Sequence, residues 1–397
     1  MRTSGTWLLR WRCWLVSTSV KAGPEWADFL GRVPVAVDEA LAALAVGGRR
    51  VLITGAGGSI GSGLAQAALL GQPELLALLD VSESALHQSF RSVSSSSLLR
   101  DVEVIPVTGN VSDERLLEHL FHRYQIDLIL HTAAYKHVPL MESNPFSAIA
   151  NNSIGTYKLV KAAQEAEVAS LILLSTDKAV RPRGIMGASK RLAELVVLSH
   201  ATESLRMNVV RLGNVLGSSG SVALVFQEQA TQEQARQEQS GQKQAGPGCA
   251  LTVTDAEASR YFLTQSEAEV AILNAASSPD SGKIYIADCG ECIRVVDLAK
   301  YIGGPAANIR YIGLRRGDKL HEELIAQEER VAPELFGGMR VVDGFLPSSE
   351  FVIQTIKQLE EAIFKYDYPD MIKAVQNLVP GYQPDITGSK VSRMGAR

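Results

Sequence analysis

The sequence is poor in cysteine, and its four cysteines, Cys13, Cys249, Cys289 and Cys292, are scattered. A secreted scaffold held by disulfides needs more cysteines at closer spacing, so that class is excluded and a reducing, cytoplasmic compartment is expected. Cys289 and Cys292 form a C-x-x-C pair, which binds zinc only together with a second pair of ligands nearby. None follows, so we predict no metal site and two packing cysteines.

The sequence also lacks a strong charge of either sign and a long apolar run. A net charge of -4 gives no electrostatic reason to expect nucleic acid or an anionic membrane as partner. The first twenty residues are basic and rich in tryptophan and leucine, but Arg10 and Arg12 interrupt an apolar run well under the ~20 residues that cross a bilayer. We therefore predict no integral membrane segment, and interfacial contact or disorder for this terminus.

What the sequence does contain is a repeated pattern of short apolar runs. Among its 397 residues, 46% are hydrophobic and 21% charged, which is enough for one large or two moderate cores. From Arg49 onward, the runs RRVLITG, ELLALLD, VEVIPV, DLILHT, SLILLST and MNVVRLG alternate with amphipathic stretches. Such runs suit strands buried on both faces, joined by crossover helices. The predicted class is α/β, a Rossmann-like doubly wound parallel sheet followed by a smaller C-terminal α/β domain.

A glycine-rich turn, TGAGGSIG, directly follows the first apolar run. Gly55, Gly58 and Gly61 allow a tight turn and let backbone N–H groups and a helix N-terminus approach a pyrophosphate. Asp80 ends the next strand, where a carboxylate can accept hydrogen bonds from a ribose diol and repels a 2′-phosphate. The pattern predicts a dinucleotide site that favours NAD over NADP, with Asp80 as a mere turn or capping residue the alternative.

These patterns divide the chain into three regions. Residues 1–48 are predicted to be an extension and linker, residues 49–215 an NAD-binding Rossmann domain, and residues 216–397 a substrate-binding region. In the last region, residues 267–288 are a candidate to pack back on the first domain. Residues 227–246 are four copies of a glutamine-rich pentapeptide, whose period of five keeps no helix face apolar. This repeat is predicted to be solvated, either as an interaction tract or as a tolerated loop expansion or helical extension.

A polar motif follows the run SLILLST. Asp177 and Lys178 are followed eight residues later by MGASK, Met186 to Lys190, a frame similar to that in which short-chain dehydrogenase/reductase proteins carry Tyr-x-x-x-Lys. A tyrosine there transfers a proton beside the nicotinamide, whereas a thioether has no proton to give or take. Asp177 and Lys178 are the acid and base candidates beside the position of the missing tyrosine. The alternative is a salt bridge or a capping pair at a strand end.

Seven strings together resemble the CapD-type polysaccharide-biosynthesis family. They are TGAGGSIGS, AAYKHVPLME (133–142), NNSIGT (151–156), STDKAV…MGASKR (175–191), RLGNVLGSSGSV (211–222), LTVTDAEASRYF (251–262) and GLRRGDKLHEEL (313–324). The resemblance extends roughly from Phe29 to Pro384. Met186 is similar to the residue that the long, membrane-anchored branch of this family carries at the tyrosine position. It implies an extended short-chain dehydrogenase that acts as a nucleotide-sugar 4,6-dehydratase, typically on UDP-N-acetylglucosamine, for surface polysaccharide or glycoconjugate synthesis.

The resemblance implies a reaction and a role for each residue of the motif. A hydride passes from sugar C4 to NAD, the C5 proton and the C6 hydroxyl are eliminated as water, and the hydride returns to C6. Asp177 is then the acid, Lys178 the base, Thr176 the hydroxyl near C4, and Lys190 the lysine that holds the nicotinamide ribose. Asp177 has to stay protonated and Lys178 has to lose its proton, which the apolar side chain of Met186 is expected to favour.

The resemblance also implies the binding residues. For NAD they are Gly55, Gly58, Ser59, Ile60, Gly61, Asp80, Asn110, Val111, Ala133, Ala134 and Lys190. For the UDP-sugar they are Lys136, Asn214, Arg260 and Arg315, residue types that suit a diphosphate. Arg260 and Arg315 are far apart in the sequence, so their convergence on one phosphate pair is a structural test of this interpretation.

Several positions depart from the family pattern. Asn110 replaces an aspartate that contacts adenine, Ser219 a frequent arginine and Arg316 a frequent proline, while Arg181 and Arg183 replace small or polar residues. Two other hypotheses therefore stay open: a UDP-sugar 4-epimerase, which needs no elimination pair, and a catalytically degenerate NAD-binding protein. We expect a homo-oligomer that is cytoplasmic, with membrane-peripheral contact as an alternative, and whose partner is a UDP-sugar.

Overall fold

The computed structural model describes residues 23–239, 248–304, 306–344 and 346–384. The N-terminal stretch with the predicted interfacial contact, the end of the glutamine-rich repeat and Cys13 lie outside the described residues.

Within the described ranges, nine strands form the main sheet. In spatial order they are β3 (Glu103–Thr108), β2 (Leu75–Asp80), β1 (Arg50–Thr54), β4 (Leu128–His131), β5 (Ser170–Thr176), β6 (Arg206–Leu212), β11 (Ile284–Ile286), β15 (Met339–Asp343) and β14 (Arg330–Phe336). Neighbours from β3 to β11 are parallel, whereas β15 and β14 join by antiparallel pairing. The order of the first six strands is that of doubly wound dinucleotide folds, so the predicted α/β class with a Rossmann-like parallel sheet is confirmed.

Helices cover both faces of this sheet. One face carries α2 (Glu39–Val46), α3 (Ser59–Leu70), α4 (Glu83–Ser94) and α11 (Gln265–Ser277). The other carries α5 (Glu114–Tyr124), α6 (Val138–Ser143), α7 (Pro145–Ile149), α8 (Gly155–Glu165), α9 (Ile185–Ser199), α13 (Ser349–Phe364) and α14 (Tyr368–Leu378). Alternate residues of β1 enter the two cores, Leu52 one and Val51 and Ile53 the other, which is why its apolar run is continuous.

A smaller α/β layer follows β6. Its strand pairs in the described chain are β7 (Asn214–Val215) with β10 (Phe262–Leu263), β9 (Ser259–Arg260) with β12 (Ile293–Arg294), and β8 (Gly248–Val253) with β13 (Ala307–Tyr311). The helices α10 (Val222–Gln239) and α12 (Val295–Gly303) pack beside them. Their buried side chains, such as Phe226, Leu251 and Leu298, form a third core.

The chain crosses between the two layers more often than the three predicted regions imply. The described part of the predicted linker forms α1 (Gly23–Leu30) and α2, and Trp26 and Leu30 of α1 are buried in the third core. Arg32 then fixes this segment, because it donates to Glu267 at 2.9 Å and to the carbonyl of Phe262 at 2.9 Å. Residues 267–288, the candidate to pack back, contribute to α11 and to β11, which pairs with β6.

The first part of the glutamine-rich repeat continues α10, which ends at Gln239. Gln229 anchors it, because its side chain accepts from the backbone N–H of Thr252 at 3.0 Å and donates to the hydroxyl of Thr252 at 2.7 Å. The start of the repeat is therefore a helical extension bonded to β8.

Candidate active site

The candidate site is a cavity of about 630 Å³ at the carboxyl ends of the parallel strands. This edge is where doubly wound folds bind their ligands. The predicted residues that line it are Gly55, Gly58, Ser59, Ile60, Gly61, Ala134, Lys136, Thr176, Lys178, Met186, Lys190, Asn214, Arg260 and Arg315. The structure thus brings most of the predicted residues together, while Asp80, Asn110, Val111, Ala133 and Asp177 lie outside the lining.

The glycine turn between β1 and α3 requires its glycines. Gly55 has φ +70°, and a Cβ there meets the backbone of Ala133 at 2.7 Å. A Cβ on Gly61 falls 2.2 Å from the carbonyl oxygen of Gly55. The first turn of α3 has no side-chain cap, since its N-cap is Gly58, so its N–H groups face the cavity edge. Such a bare helix N-terminus binds a pyrophosphate through its N–H groups and its positive dipole end.

Asp80 fixes this turn from the end of β2. Its carboxylate accepts from the N–H of Gly57 at 2.9 Å and from the N–H of Ser82 at 2.8 Å. The turn role weighed as an alternative is therefore present, whereas Ser82 is the residue that caps α4. A carboxylate has about four acceptor positions, so the same group has acceptor capacity for a ribose diol.

Asn110 uses its side-chain oxygen within its own turn. That oxygen accepts from both the N–H and the hydroxyl of Ser112 at 2.9 Å. Both of its acceptor positions are taken within this turn. Val111 is buried beneath it.

The predicted acid/base pair lies where β5 ends and a short 3₁₀ turn begins. The ammonium of Lys178 donates to Asp177 Oδ1 at 2.9 Å and to Asn214 Oδ1 at 3.0 Å. Thr176 also donates its hydroxyl to Asp177 Oδ1, at 2.9 Å. Asp177 is fully buried, and its Oδ2 has no hydrogen-bond partner within the described chain.

The charge on Lys178 follows from its neighbours. Burial lowers the pKa of Lys178, but the carboxylates of Asp177 and Glu322 more than compensate, so its pKa lies above the ordinary value. The expectation that low polarity leaves Lys178 neutral is thus not met, because two carboxylates face the ammonium. Asp177 and Lys178 thus form an ion pair in this structure.

Met186 and Lys190 reach the cavity from α9. Met186 is 3% exposed, and Lys190 donates to the carbonyl of Leu174 at 2.6 Å. Burial lowers the pKa of Lys190 to about 8. The cavity wall at the position of the familiar tyrosine is therefore apolar, and Lys190, whose pKa burial lowers, lies one helical turn further on.

The start of α9 is held by a buried carboxylate. Glu142 accepts from the N–H of Ile185 at 2.6 Å and forms an ion pair with Arg316 at 3.2 Å. Gly187 then allows the helix to approach the 3₁₀ turn Asp177–Ala179, here called the acid/base turn, because a Cβ on Gly187 would meet the carbonyl oxygen of Lys178 at 2.3 Å. Arg316, a departure from the family pattern, thus connects the segment that carries Arg315 to this helix.

The two arginines nominated for the diphosphate, Arg260 and Arg315, line the same cavity. Their guanidinium groups differ. Arg260 donates to the carbonyls of Ser259, Lys319 and Leu320 at 2.7 to 3.0 Å, so it organises the segment around residue 320. Arg315 is more exposed, and its Nε donates to Asp318 at 2.9 Å.

Three features of the site were missed in the sequence. Glu322 is buried, with its carboxylate 3.9 Å from the ammonium of Lys178. Ser219 bonds to the start of α3, donating its N–H to the hydroxyl of Ser59 at 2.9 Å. His131 is buried among threonine hydroxyls, and burial together with Lys190 lowers its pKa to about 3. Only Glu322 left a signal, the acidic pair in the string GDKLHEEL.

Two absences concern only the part of the chain that the structure describes. There, no three or more histidine, cysteine, aspartate or glutamate side chains are placed to hold a metal ion. In the same ranges, none of the helices combines the length and the apolar character that a bilayer span demands. Of the C-x-x-C pair, Cys289 is buried and Cys292 is exposed, both as free thiols.

Known proteins resemble the chain in sequence. The capsular polysaccharide biosynthesis protein CapD of Staphylococcus aureus is 37% identical over 77% of this chain and 50% of its own length. A UDP-N-acetylglucosamine 4,6-dehydratase (inverting) of Campylobacter jejuni is 28% identical over 71% of this chain and 79% of its own. A UDP-glucose 4-epimerase of Rickettsia canadensis is 31% identical over 58% of this chain and 64% of its own. The chain spans about half the length of the first curated relatives it matches.

A solved structure and a family model also match the chain. The X-ray structure of Pen from Bacillus thuringiensis matches with a TM-score of 0.64 and 26% identity, over 76% of this chain and 88% of that one. Residues 51–343 match the family described as "Polysaccharide biosynthesis protein". The chain therefore belongs to the polysaccharide biosynthesis protein family as a CapD-type extended short-chain dehydrogenase/reductase, and the resemblance found in the sequence is confirmed.

Proposed function

We propose that this chain is a nucleotide-sugar 4,6-dehydratase that acts on a UDP-N-acetylhexosamine such as UDP-N-acetylglucosamine, for surface polysaccharide or glycoconjugate synthesis. The observation that carries the proposal is the 2.9 Å contact between Lys178, which lines the cavity, and the buried Asp177 next to it. Elimination of water needs an acid and a base side by side, and this pair supplies both. The Staphylococcus aureus and Campylobacter jejuni relatives support it by their names.

The residues present fit NAD as the cofactor. The bare N-terminus of α3 and the close approach of Gly55 to Ala133 form a cradle that a Cβ would fill, and Asp80 stands at the end of β2 for the ribose. Lys190 lines the nicotinamide end of the same cavity in this proposal. NAD bound there would supply the hydride acceptor for sugar C4 and the hydride donor for C6.

The protons balance within the pair. In its neutral form, Lys178 takes the C5 proton while Asp177 gives its proton to the departing C6 hydroxyl, which leaves as water. The products of this step on the enzyme are an ammonium and a carboxylate, the ion pair described above. The ammonium of Lys178 then returns a proton to C5 as C6 is reduced, and the proton released by the C4 hydroxyl in the oxidation restores Asp177, so no net proton is taken from water.

A UDP-sugar 4-epimerase is the second candidate. It is favoured by the Rickettsia canadensis relative and by the ion-paired state of Lys178, whose raised pKa keeps the base protonated. An epimerase needs hydride transfer at C4 but no elimination, so it can leave that ion pair untouched.

Incubation with UDP-N-acetylglucosamine and NAD, followed by mass and NMR analysis of the product, decides between them. A dehydratase gives a product lighter by one water, and in D2O it carries deuterium at C5. An unchanged mass with inverted C4 identifies an epimerase. Bound NAD without turnover of any UDP-hexose supports the degenerate NAD-binding protein.

Replacing Gly61 with alanine is expected to weaken NAD binding by about tenfold or more, a loss of about 1.4 kcal/mol or more. The new Cβ falls 2.2 Å from the carbonyl oxygen of Gly55, so the pyrophosphate cradle has to open. Calorimetric titration with NAD measures the effect. Gly58→Ala is the matched control, since its Cβ meets the same oxygen only at 3.2 Å and a smaller loss is expected. Equal affinity of Gly61→Ala and the unaltered protein contradicts the cradle.

Replacing Met186 with tyrosine is expected to change the pH dependence of water loss. Met186 is buried at the cavity wall, where a phenol adds a titratable, hydrogen-bonding group beside Lys178. Rates of water loss measured between pH 6 and pH 10 test this, with Met186→Leu as a control that keeps the wall apolar at similar volume. An unchanged profile in Met186→Tyr argues against a role for the apolar wall.

A further inference from the structure

Glu322 is a buried carboxylate among three cations. It is 4% exposed, and its Oε1 lies 3.9 Å from the ammonium of Lys178 and 3.7 Å from Nε of Arg260. Its Oε2 lies 3.3 Å from the ammonium of Lys319. A carboxylate is rarely this deeply buried unless it is paired. The cations that surround it account for its burial, and one of them is the proposed base.

The segment that carries Glu322 is fixed to the site on two sides. Arg260 donates to the carbonyls of Lys319 and Leu320, and the N–H of Ser259 donates to Leu320 as well, at 2.9 Å. On the other side, the ammonium of Lys319 donates at 2.6 Å to the carbonyl of Val180, just beyond the acid/base turn. The position of Glu322 relative to Lys178 is thus set by backbone contacts.

The charged groups around Lys178 have unequal roles in the proposed chemistry. Asp177 is on its own turn, Glu322 comes from the segment after β13, Arg260 from β9, and Lys136 follows β4. Asp177 gains and loses a proton in each cycle, whereas Glu322 contacts no reacting atom in that scheme. Glu322 therefore acts on Lys178 throughout the cycle, against the repulsion of Arg260 and Lys136.

We propose that Glu322 is a positioning residue that holds the ammonium of Lys178 against Asp177 and sets the pH at which Lys178 acts as a base. The proposal rests on the proposed dehydratase function for its kinetic consequence only. The ion pair itself is a property of the protein and can be titrated without substrate.

The direct test is a titration of Lys178 followed by NMR of protein labelled with ¹³C at lysine Cε, with the signal assigned by its loss in Lys178→Arg. In Glu322→Gln, the pKa of Lys178 is expected to fall by about one pH unit or more, because an opposite charge about 4 Å away has been removed. Glu322→Asp keeps the charge at a greater distance, so an intermediate value is expected. An unmoved titration in folded Glu322→Gln or Glu322→Asp overturns the proposal.

The matched control is the next residue. Glu323→Gln removes the same charge from an exposed side chain that pairs with Arg181, and it is expected to leave the titration of Lys178 in place. A fall of the pKa of Lys178 in Glu323→Gln equal to that in Glu322→Gln means a general charge effect and overturns the proposal. Circular dichroism and thermal melting check the fold of each variant.

The kinetic test uses water loss from UDP-N-acetylglucosamine as a function of pH. A lower pKa leaves more neutral Lys178 at a given pH, so the acid limb of the kcat profile of Glu322→Gln is expected to move to lower pH. A raised KM with an unmoved acid limb indicates a purely structural role and contradicts the proposal. Absence of any turnover by the unaltered protein refutes the dehydratase function instead, while the NMR titration still decides the role of Glu322.

Discussion

Replacing Asp177 with asparagine is expected to slow water loss by about 10²- to 10⁴-fold, the usual contribution of a general acid. An amide has no acidic proton for the C6 hydroxyl, while its oxygen can still accept from Thr176 and Lys178, as the carboxylate does at 2.9 Å. The wall of the cavity and NAD binding are therefore expected to be kept. Rates come from mass analysis of the product, and NAD affinity from calorimetry.

Deuterium exchange at C5 separates the acid from the base. In D2O, Asp177→Asn is expected to exchange the C5 proton of the sugar without losing water, because Lys178 can still remove and return that proton. Lys178→Met is expected to do neither. Asp297→Asn is the control, since Asp297 pairs with Arg294 on the surface away from the cavity. Full-rate water loss by Asp177→Asn contradicts the assignment of the acid.

The parts of the fold that follow from local pattern could be predicted from the sequence. The glycine turn, β2 ending at Asp80 and the continuous apolar strands each depend on neighbours along the chain, so their periodicity and turn residues indicate them. Beyond β6, the sequence predicted only that residues 267–288 are a candidate to pack back on the first domain, and not the order of the strands. The short strand β11 joins β6, and the antiparallel β15 joins β11, through pairings between residues far apart in sequence.

The same distinction applies to the site. Lys178 and Met186 belong to one local motif with Asp177, and both line the cavity, whereas Asp177 is buried next to it. The charge on Lys178 could not be predicted, because it depends on Glu322, more than a hundred residues further along the chain. The hydrogen bonds of Arg260 to backbone carbonyls could not be predicted either, because every residue has a carbonyl and a sequence pattern does not distinguish them.

A second large effect is expected at a buried charge cluster behind the site. Arg211 is fully buried and bonds to Glu194 on one side, at 2.8 Å, and to Glu329 on the other, at 2.7 Å. Arg191 also contacts both carboxylates, at 2.8 and 3.4 Å. The cluster joins α9 and β6 to the segment before β14, and Ser175, two residues before Asp177, donates to Glu194 at 2.6 Å.

Replacing Arg211 with methionine is expected to lower the free energy of unfolding by about 3 to 5 kcal/mol at pH 7. Removing one member of a buried ion pair leaves the other charges uncompensated, and here two carboxylates lose their main partner. Urea denaturation followed by circular dichroism measures the change. Arg294→Met removes a half-exposed arginine that pairs with Asp297, and a loss of no more than about 0.5 kcal/mol is expected.

The pH dependence of that loss tests its electrostatic cause. Burial raises the pKa of Glu194, but Arg211, Arg191 and the hydrogen bond from Ser175 outweigh it and lower the pKa to about 2. The stabilisation from ionised Glu194 is therefore complete above its ordinary pKa of about 4.3 and is lost as the pH falls towards 2. In Arg211→Met, that carboxylate is no longer held ionised. The difference in the free energy of unfolding between the unaltered protein and Arg211→Met is therefore expected to narrow from pH 5 to pH 3. A difference in the free energy of unfolding that stays constant over this range indicates lost packing of the arginine side chain and contradicts the ion-pair account.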